Sequence, residues 1–229
     1  MWTARVFTLY PELFPGPLGV GLYKKAMDKK IWSLEVVNIR DYATDKHKTV
    51  DDTPFGGGTG MLMRADVIAN SLDKNISNKD EPLIYLSPKG KKFDQIFAKK
   101  ILDKNINIVC GHFEGVDQRL LETRNIEEVS VGDFVLSGGE IGAFVVIDTI
   151  VRLIPGVLGN SNSLTEETFE RYLLEYPQYT KPQKWEKKDV PYVLLTGDHV
   201  KIKDWRLSQS KDITRRRRAD LWEKYKKNK

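Results

Sequence analysis

The sequence predicts an α/β domain, with helices covering a mostly parallel sheet, followed by a smaller basic segment. Three observations support this: short apolar runs bounded by turn residues, a strand–helix–strand order near the middle, and a charge asymmetry along the chain. With 229 residues, the chain can bury a sizeable core and form one large domain with a small one attached.

Four apolar, β-branched runs predict buried strands, because each is bounded by Pro, Gly, Asn or Asp. They cover residues 4–9, 34–39, 83–86 and 106–110. Between the last two, apolar residues at 93, 96, 97 and 101 have helical spacing. A strand, a helix and a second strand in this order predict a parallel pair, and the α/β domain covers about 160 residues.

A longer helix is predicted from Glu140 to Leu153. Five of its residues recur by steps of three and four and therefore share one face: Ile141, Phe144, Val145, Asp148 and Arg152. The helix should end near Pro155, which cannot continue it.

The second part of the chain begins with a polar stretch, residues 159–168, that predicts a linker. Asp198 is a plausible N-cap for a helix reaching Ile213, and a second short helix is predicted over residues 221–225. The predicted domains are residues 1–160, a flexible linker at 161–172 and a basic helical domain at 173–229.

Composition excludes several classes of protein. No apolar run approaches the roughly 20 residues needed to span a bilayer, so we expect no membrane partner. Residues 1–7 start a strand-like pattern and lack the regions of a secretory signal, which predicts a cytoplasmic protein. The single cysteine, Cys110, cannot form an internal disulfide or a thiolate metal cage, and we expect it in the core.

The charge is unevenly distributed. Residues 171–229 carry 17 Lys and Arg against 8 Asp and Glu, whereas the rest of the chain has a net charge of −4. A basic segment attached to a larger domain favours a polyanion partner, with nucleic acid first. A solvated charged tail is the alternative from charge alone.

Three glycine-rich segments, at residues 55–61, 86–90 and 136–140, could bring backbone N–H and C=O groups close to a small molecule. Each could also be only a tight turn. No Gly-Lys-Ser/Thr ending and no Gly-x-Gly-x-x-Gly follows a strand, which argues against NTP and dinucleotide sites. His47, His112 and His199 lack the spacing of zinc ligands.

Several segments together resemble the bacterial tRNA (guanine-N1)-methyltransferase family, and the likeness covers nearly the whole chain in register. The first is HKTVDDTPFGGGTGM at residues 47–61. The others are LSP at 86–88, CGHFEGVDQR at 110–119, GDFVLSGGE at 132–140, RLIPGVLG at 152–159, YTKP at 179–182 and WRL at 205–207.

The resemblance implies a SPOUT-type domain with a deep trefoil knot, which strand order alone would exclude. It also implies a flexible linker, a helical tRNA-binding domain and a homodimer with a composite active site. S-adenosylmethionine would lie bent between three loops. The residues expected to bind it are Tyr85, Leu86, Ser87, Pro88, Gly111, Phe113, Glu114, Ser130, Val131, Gly132, Phe134, Leu136, Gly138 and Gly139.

The implied reaction methylates N1 of the guanosine at tRNA position 37, next to the anticodon. It needs a base for the N1 proton and a cation for the charge that grows on O6. The resemblance assigns these roles to Glu167 and Arg152, with Glu166 as an adjacent rival. The family usually has aspartate at 167 and tyrosine at 113, so Glu167 adds a methylene and Phe113 lacks a hydroxyl.

Substrate contacts are expected at Asp51, Lys201, Arg206, Arg215 and Arg216, with surface solubility as the alternative for the basic residues. The family's reaction also implies Mg²⁺, for which the sequence indicates no site. Two other functions stay open: a knotted ribose 2′-O-methyltransferase and a non-catalytic RNA-binding module.

Overall fold

The computed structural model describes residues 1–158, 168–169 and 171–228. The chain divides into two compact units, Met1–Gly159 and Asn160–Lys229. In the described parts of the chain, no helix is long and apolar enough to cross a membrane.

The first unit is built on a five-stranded sheet with the order β2-β1-β6-β5-β7. Every pairing in this sheet is parallel, which confirms the α/β prediction. The strands are β1 (Trp2–Thr8), β2 (Trp32–Asn38), β5 (Leu83–Lys92), β6 (Ile106–Val109) and β7 (Glu127–Ser130), and a separate antiparallel pair joins β3 (Asp51–Asp52) to β4 (Leu62–Met63). The helices are α1 (Gly21–Asp28), α2 (Ala65–Asn75), α3 (Gln95–Lys100), α4 (Gln118–Thr123) and α5 (Glu140–Val151).

The centre of the sheet is the most deeply buried part of the core. All four residues of β6 are inaccessible to solvent, as expected for a parallel strand covered on both faces. The predicted strands correspond to β1, β2, β5 and β6, and the helix at 93–101 corresponds to α3. β7 is missing from the prediction because its two glutamates interrupt the apolar pattern.

The helix α5 forms as predicted, and its fully buried residues are not those that the spacing places on one face. Ala143, Val146, Ile147 and Ile150 are fully buried, whereas Ile141 is 56% and Val145 45% exposed. α5 is apolar on nearly every side, so spacing alone could not show which side faces the core.

The second unit contains α6 (His199–Arg217) and α7 (Ala219–Lys227). Asp198 caps α6 as predicted, since its carboxylate accepts hydrogen bonds from the N–H groups of Val200 and Lys201 at 3.2 and 3.1 Å. The buried Thr214 accepts a hydrogen bond from Leu174 N–H (2.8 Å), which ties the incoming chain to α6. A small hairpin, β8 (Lys184–Trp185) and β9 (Lys188–Asp189), completes the described elements.

Candidate functional site

A cavity of about 310 Å³ lies beside an interruption within β5 and near the carboxyl ends of β6 and β7. This is the edge where parallel α/β sheets bind ligands. Three segments line it, which we call loop 1 (residues 85–89), loop 2 (111–116) and loop 3 (130–139). All fourteen residues expected to bind the methyl donor line this one cavity: Tyr85, Leu86, Ser87, Pro88, Gly111, Phe113, Glu114, Ser130, Val131, Gly132, Phe134, Leu136, Gly138 and Gly139.

Loop 1 is an interruption within β5. Leu86 and Lys91 both pair with Val129 of β7, so the residues between them bulge out of the ladder. The Ser87 hydroxyl accepts a hydrogen bond from Lys89 N–H at 3.2 Å, which closes the bulge. The sequence therefore predicted the loop but not the continuation of the strand to Lys92.

Loop 2 is held from outside by the chain around β4. Glu114 N–H donates to the Met61 carbonyl (3.0 Å) and Met63 N–H donates to the Gly115 carbonyl (2.9 Å). Phe113 adopts a left-handed conformation, with φ of 58°. Of the three glycine-rich segments, 55–61 does not line the cavity, but its end secures a loop that does.

Tyr85 forms one wall of the cavity. Burial, followed by the charge of Glu128, raises the pKa of Tyr85 to about 12, so its phenol stays neutral at physiological pH. The ring lies so close to Gly111 that a Cβ there would be 2.5 Å from Tyr85 Cε2 and 2.7 Å from its hydroxyl oxygen. A glycine is thus required where loop 2 passes this ring.

Gly139 shows the same constraint between loops 2 and 3. Its N–H donates to the Gly111 carbonyl at 3.0 Å, and an added Cβ would lie 2.6 Å from Cys110 Cα. We expect Gly139→Ala to lower the free energy of unfolding by about 1–3 kcal/mol, the usual cost of overpacking a core. It should also weaken ligand binding, because the backbone must shift.

Thermal unfolding and calorimetry with S-adenosylmethionine measure both effects of Gly139→Ala. Ser77→Ala, at an exposed position outside the cavity, should leave both quantities close to wild type. Equal stability and affinity for Gly139→Ala and wild type would contradict this packing account.

Two buried polar side chains, Thr8 and Glu140, meet the partly buried His112 beside the cavity, and the sequence did not predict their association. Glu140 is 2% exposed, and its carboxylate accepts a hydrogen bond from the Thr8 hydroxyl at 2.5 Å. His112 lies in the cavity wall, and its Nε2 is 2.9 and 2.8 Å from the two carboxylate oxygens of Glu140. Burial, and secondarily the charge of Glu140, raises the pKa of the adjacent Cys110 thiol, so this thiol is not a nucleophile.

The structure does not bring Arg152 to the cavity of its own chain. Gly142 of α5 lines the cavity, but Arg152 is the C-cap of this helix and lies roughly 15 Å further along its axis, at 1.5 Å per residue. Nearby Asp148 is half-buried; burial raises the pKa of its carboxyl group, and the Arg152 charge opposes that shift. Glu166 and Glu167 lie outside the described residues.

Asp51 also lies outside the cavity lining. It belongs to β3 and pairs with Met63 of β4, whose sulfur accepts a hydrogen bond from His112 N–H at 3.3 Å. Asp51 is therefore connected to loop 2 through β4 without touching the cavity.

The basic residues singled out in the second unit lie on α6 in different surroundings. Lys201 pairs with Asp198 at 3.1 Å, and Arg215 and Arg216 both pair with Asp212. The Arg206 guanidinium lies 4.8 Å from the centre of the Tyr176 ring. Arg206 is thus partly a packing residue, whereas the other three cations are exposed.

No cluster of three or more His, Cys, Asp or Glu side chains suited to a metal occurs within residues 1–158, 168–169 and 171–228. The Mg²⁺ expected from the resemblance therefore has no assigned site.

Comparison with known proteins gives a consistent result. The family model described as tRNA (Guanine-1)-methyltransferase TrmD matches residues 1–224. The chain is 67% identical over 229 residues to a tRNA (guanine-N(1)-)-methyltransferase of Pelagibacter ubique, with 100% of both chains covered. It is 54% identical over 226 residues to the protein of that name from Bartonella tribocorum, covering 98% of this chain and 97% of the relative. It is 50% identical over 223 residues to that from Rhodospirillum rubrum, covering 97% and 93%.

Proposed function

The chain belongs to the tRNA (guanine-1)-methyltransferase TrmD family, and from this premise we propose that it methylates N1 of the guanosine at tRNA position 37. The methyl donor is S-adenosylmethionine, held in the cavity of loops 1, 2 and 3. The observation that carries the proposal is the convergence of all fourteen expected donor contacts on that cavity.

The cavity suits an adenosyl group in size and chemistry. Its volume of about 310 Å³ falls within the range of small-molecule sites. Glycines occupy the narrowest places, since a Cβ at Gly111 or Gly139 would collide with neighbouring atoms. Close approach of the backbone lets N–H and C=O groups recognise an adenine without many polar side chains. In this family, the donor binds in a bent conformation within a trefoil knot. The proposal includes both the knot and the bent donor.

The chemistry requires two groups besides the donor, which supplies an electrophilic methyl group when bound. As the N1–methyl bond forms and the methyl–sulfur bond breaks, the electron pair passes to sulfur and the N1 proton must leave. Glu167 accepts that proton as the general base. Arg152 stabilises the negative charge that develops on O6 of the guanine.

The proposal includes a homodimer with a composite active site, which the family resemblance implies. Two observations support it. Arg152 lies roughly 15 Å along α5 from the cavity-lining Gly142, so an Arg152 from a second copy could serve the donor site. The exposed apolar residues Ile141 and Val145 of α5 offer a surface for that copy.

The second unit, with 17 Lys and Arg beyond residue 170, supplies phosphate contacts for tRNA. Target choice then depends on reading the guanine near the donor, because phosphate contacts carry no sequence information. tRNA is cytoplasmic in bacteria, so we place the enzyme there. The proposal also includes dependence on Mg²⁺, but it assigns no residues to the binding of this ion.

The dependence of tRNA binding on salt tests these contacts. If Arg215 and Arg216 each neutralise a phosphate, Arg215→Ala/Arg216→Ala should reduce the slope of log K against log salt by roughly 2. The matched control is Lys25→Ala/Lys29→Ala, in α1 and at its C-cap; these lysines are also exposed but belong to the first unit. An unchanged slope in the α6 variant would show that these arginines only neutralise Asp212.

Calorimetry with S-adenosylmethionine tests the donor site itself. We expect one binding event per chain in wild type and a weakened one in Gly139→Ala. Absence of binding to the wild-type protein would refute the assignment of the cavity.

A further inference from the structure

The cluster formed by buried Thr8 and Glu140 with the partly buried His112 has no part in the proposed chemistry. Glu140 begins α5 and is 2% exposed, so its charge must be compensated by hydrogen bonds. The compensation comes from Thr8 at 2.5 Å and from His112 at 2.8 and 2.9 Å. Glu140 does not line the cavity itself, but its partner His112 does, so the cluster connects a buried carboxylate to the cavity wall.

The proton positions in this cluster follow from its partners. Thr8 Oγ1 accepts a hydrogen bond from Tyr10 N–H at 2.9 Å, so its own hydrogen is directed to Glu140. An ionised carboxylate can only accept, so His112 must carry a hydrogen on Nε2. This assignment fixes both the tautomer and the orientation of the His112 ring.

The ring is confined on its other sides as well. The ring centres of Tyr10 and Phe113 lie 4.8 and 6.2 Å from that of His112. A Cβ at Gly138 would collide with His112 Cε1 and lie 2.7 Å from Glu140 Oε2. Loop 3 can therefore pass only because residue 138 is glycine, and a displaced His112 would displace loop 3 or Phe113.

We propose that Glu140 and Thr8 lock His112 in one tautomer and orientation, making His112 a positioning residue that sets loops 2 and 3 at the separation required for S-adenosylmethionine. The inference rests on the proposed donor site. The three residues come from different segments: Thr8 ends β1, His112 belongs to loop 2, and Glu140 follows loop 3. The cluster therefore joins these segments and affects how tightly the donor binds. The reacting atoms are left to Glu167 and Arg152.

Glu140→Gln is the most informative variant, because the amide has the shape of the carboxylate but replaces one acceptor oxygen with a donor N–H₂ group. An amide oxygen can still accept from Thr8, but the remaining amide N–H₂ can only donate. If Nε2 kept its hydrogen, that hydrogen would face the amide N–H₂ group at the Oε2 position, 2.8 Å away; acceptance at Nε2 avoids this clash of donors and moves the ring hydrogen to Nδ1. We therefore expect Glu140→Gln to invert the His112 tautomer.

Nuclear magnetic resonance of ¹⁵N-histidine-labelled protein reports the tautomer directly. The chain has three histidines, so His47→Gln and His199→Gln identify the remaining signals. The expected result is a hydrogen on Nε2 of His112 in wild type and on Nδ1 in Glu140→Gln. A wild-type His112 bearing its hydrogen only on Nδ1 would overturn the proposal.

Affinity and turnover separate positioning from a merely structural role. Loss of a hydrogen bond to a buried charge corresponds to about a ten- to hundred-fold change, so we expect His112→Gln and Glu140→Gln to raise the Kd for S-adenosylmethionine by that factor. The value of kcat at saturating donor should stay within a few-fold, so the loss appears in KM for the donor. When His112→Gln and Glu140→Gln are combined in one chain, the Kd for S-adenosylmethionine should rise little more than with either substitution alone.

Thr8 provides a matched pair at the edge of the cluster. Thr8→Ser keeps the hydroxyl and should bind the donor like wild type, whereas Thr8→Val loses it and should bind several-fold more weakly. If every variant binds with wild-type affinity while wild type does bind, the positioning role is wrong and the donor site stands. If wild type binds no donor, the proposed function fails first.

Discussion

Replacing Glu167 by glutamine should slow methyl transfer by about 10²–10⁴-fold, the contribution of a well-placed general base. Glutamine keeps the length of the side chain but cannot take the N1 proton. Affinity for S-adenosylmethionine should remain near wild type, because the proposal assigns Glu167 to the guanine and not to the methyl donor. Single-turnover rates with tRNA and saturating donor measure the effect without interference from product release.

Two neighbouring variants make this result specific. Glu166→Gln removes an adjacent carboxylate and should retain most activity. Glu167→Asp restores the residue that the family usually has and should be active, since a base one methylene shorter is the common arrangement. Full activity of Glu167→Gln, or loss only in Glu166→Gln, would transfer the role of base to another group.

Replacing Arg152 by alanine should reduce kcat by about 10²–10³-fold, as loss of one donor to a developing oxyanion does. The reason is that charge grows on O6 only as the N1 proton leaves, so the loss falls on the transition state. Arg152→Lys keeps the charge but changes the donor geometry, and we expect intermediate activity. A rise of about 10²–10³-fold in KM for tRNA with unchanged kcat would indicate that Arg152 only binds the substrate.

Mixing two impaired variants tests whether the active site is shared. Activity is measured at a donor concentration too low for Gly139→Ala to bind appreciably. If the cavity of one chain works with Arg152 of the other, a mixture of Gly139→Ala and Arg152→Ala chains should regain up to about a quarter of wild-type activity, since half of the dimers are mixed and each has one intact site. If both elements act within one chain, the mixture should be no more active than the average of the two variants measured alone.

Local pattern predicted much of the sheet, because β1 and β6 are apolar runs ending at turn residues. It failed at β7, where Glu127 and Glu128 break the apolar run, and at β5, which resumes after the bulge of loop 1. Both errors concern strand pairing between segments that are distant in the sequence. The local pattern of one sequence carries no information on such pairing. The spacing of α5 residues does not identify its buried face for a related reason, since both of its sides carry apolar residues.

The candidate site was predictable only where a family likeness supplied the residues. Glycine-rich segments indicated backbone contacts, but nothing in their spacing distinguishes loop 3 from an ordinary turn. The Thr8–His112–Glu140 cluster joins residues 132 positions apart in the sequence, so no local signal could have shown it. Arg152 was assigned correctly to the end of its helix, yet its distance from the cavity became visible only in three dimensions.

The most direct test of the account is the identity of the product. The enzyme is incubated with tRNA bearing guanosine at position 37 and with methyl-labelled S-adenosylmethionine, and the digested nucleosides are identified by mass spectrometry. The account predicts label in 1-methylguanosine, located in the fragment that contains position 37. Label in a ribose 2′-O-methyl nucleoside, label at another base, or tRNA binding without any label would contradict it.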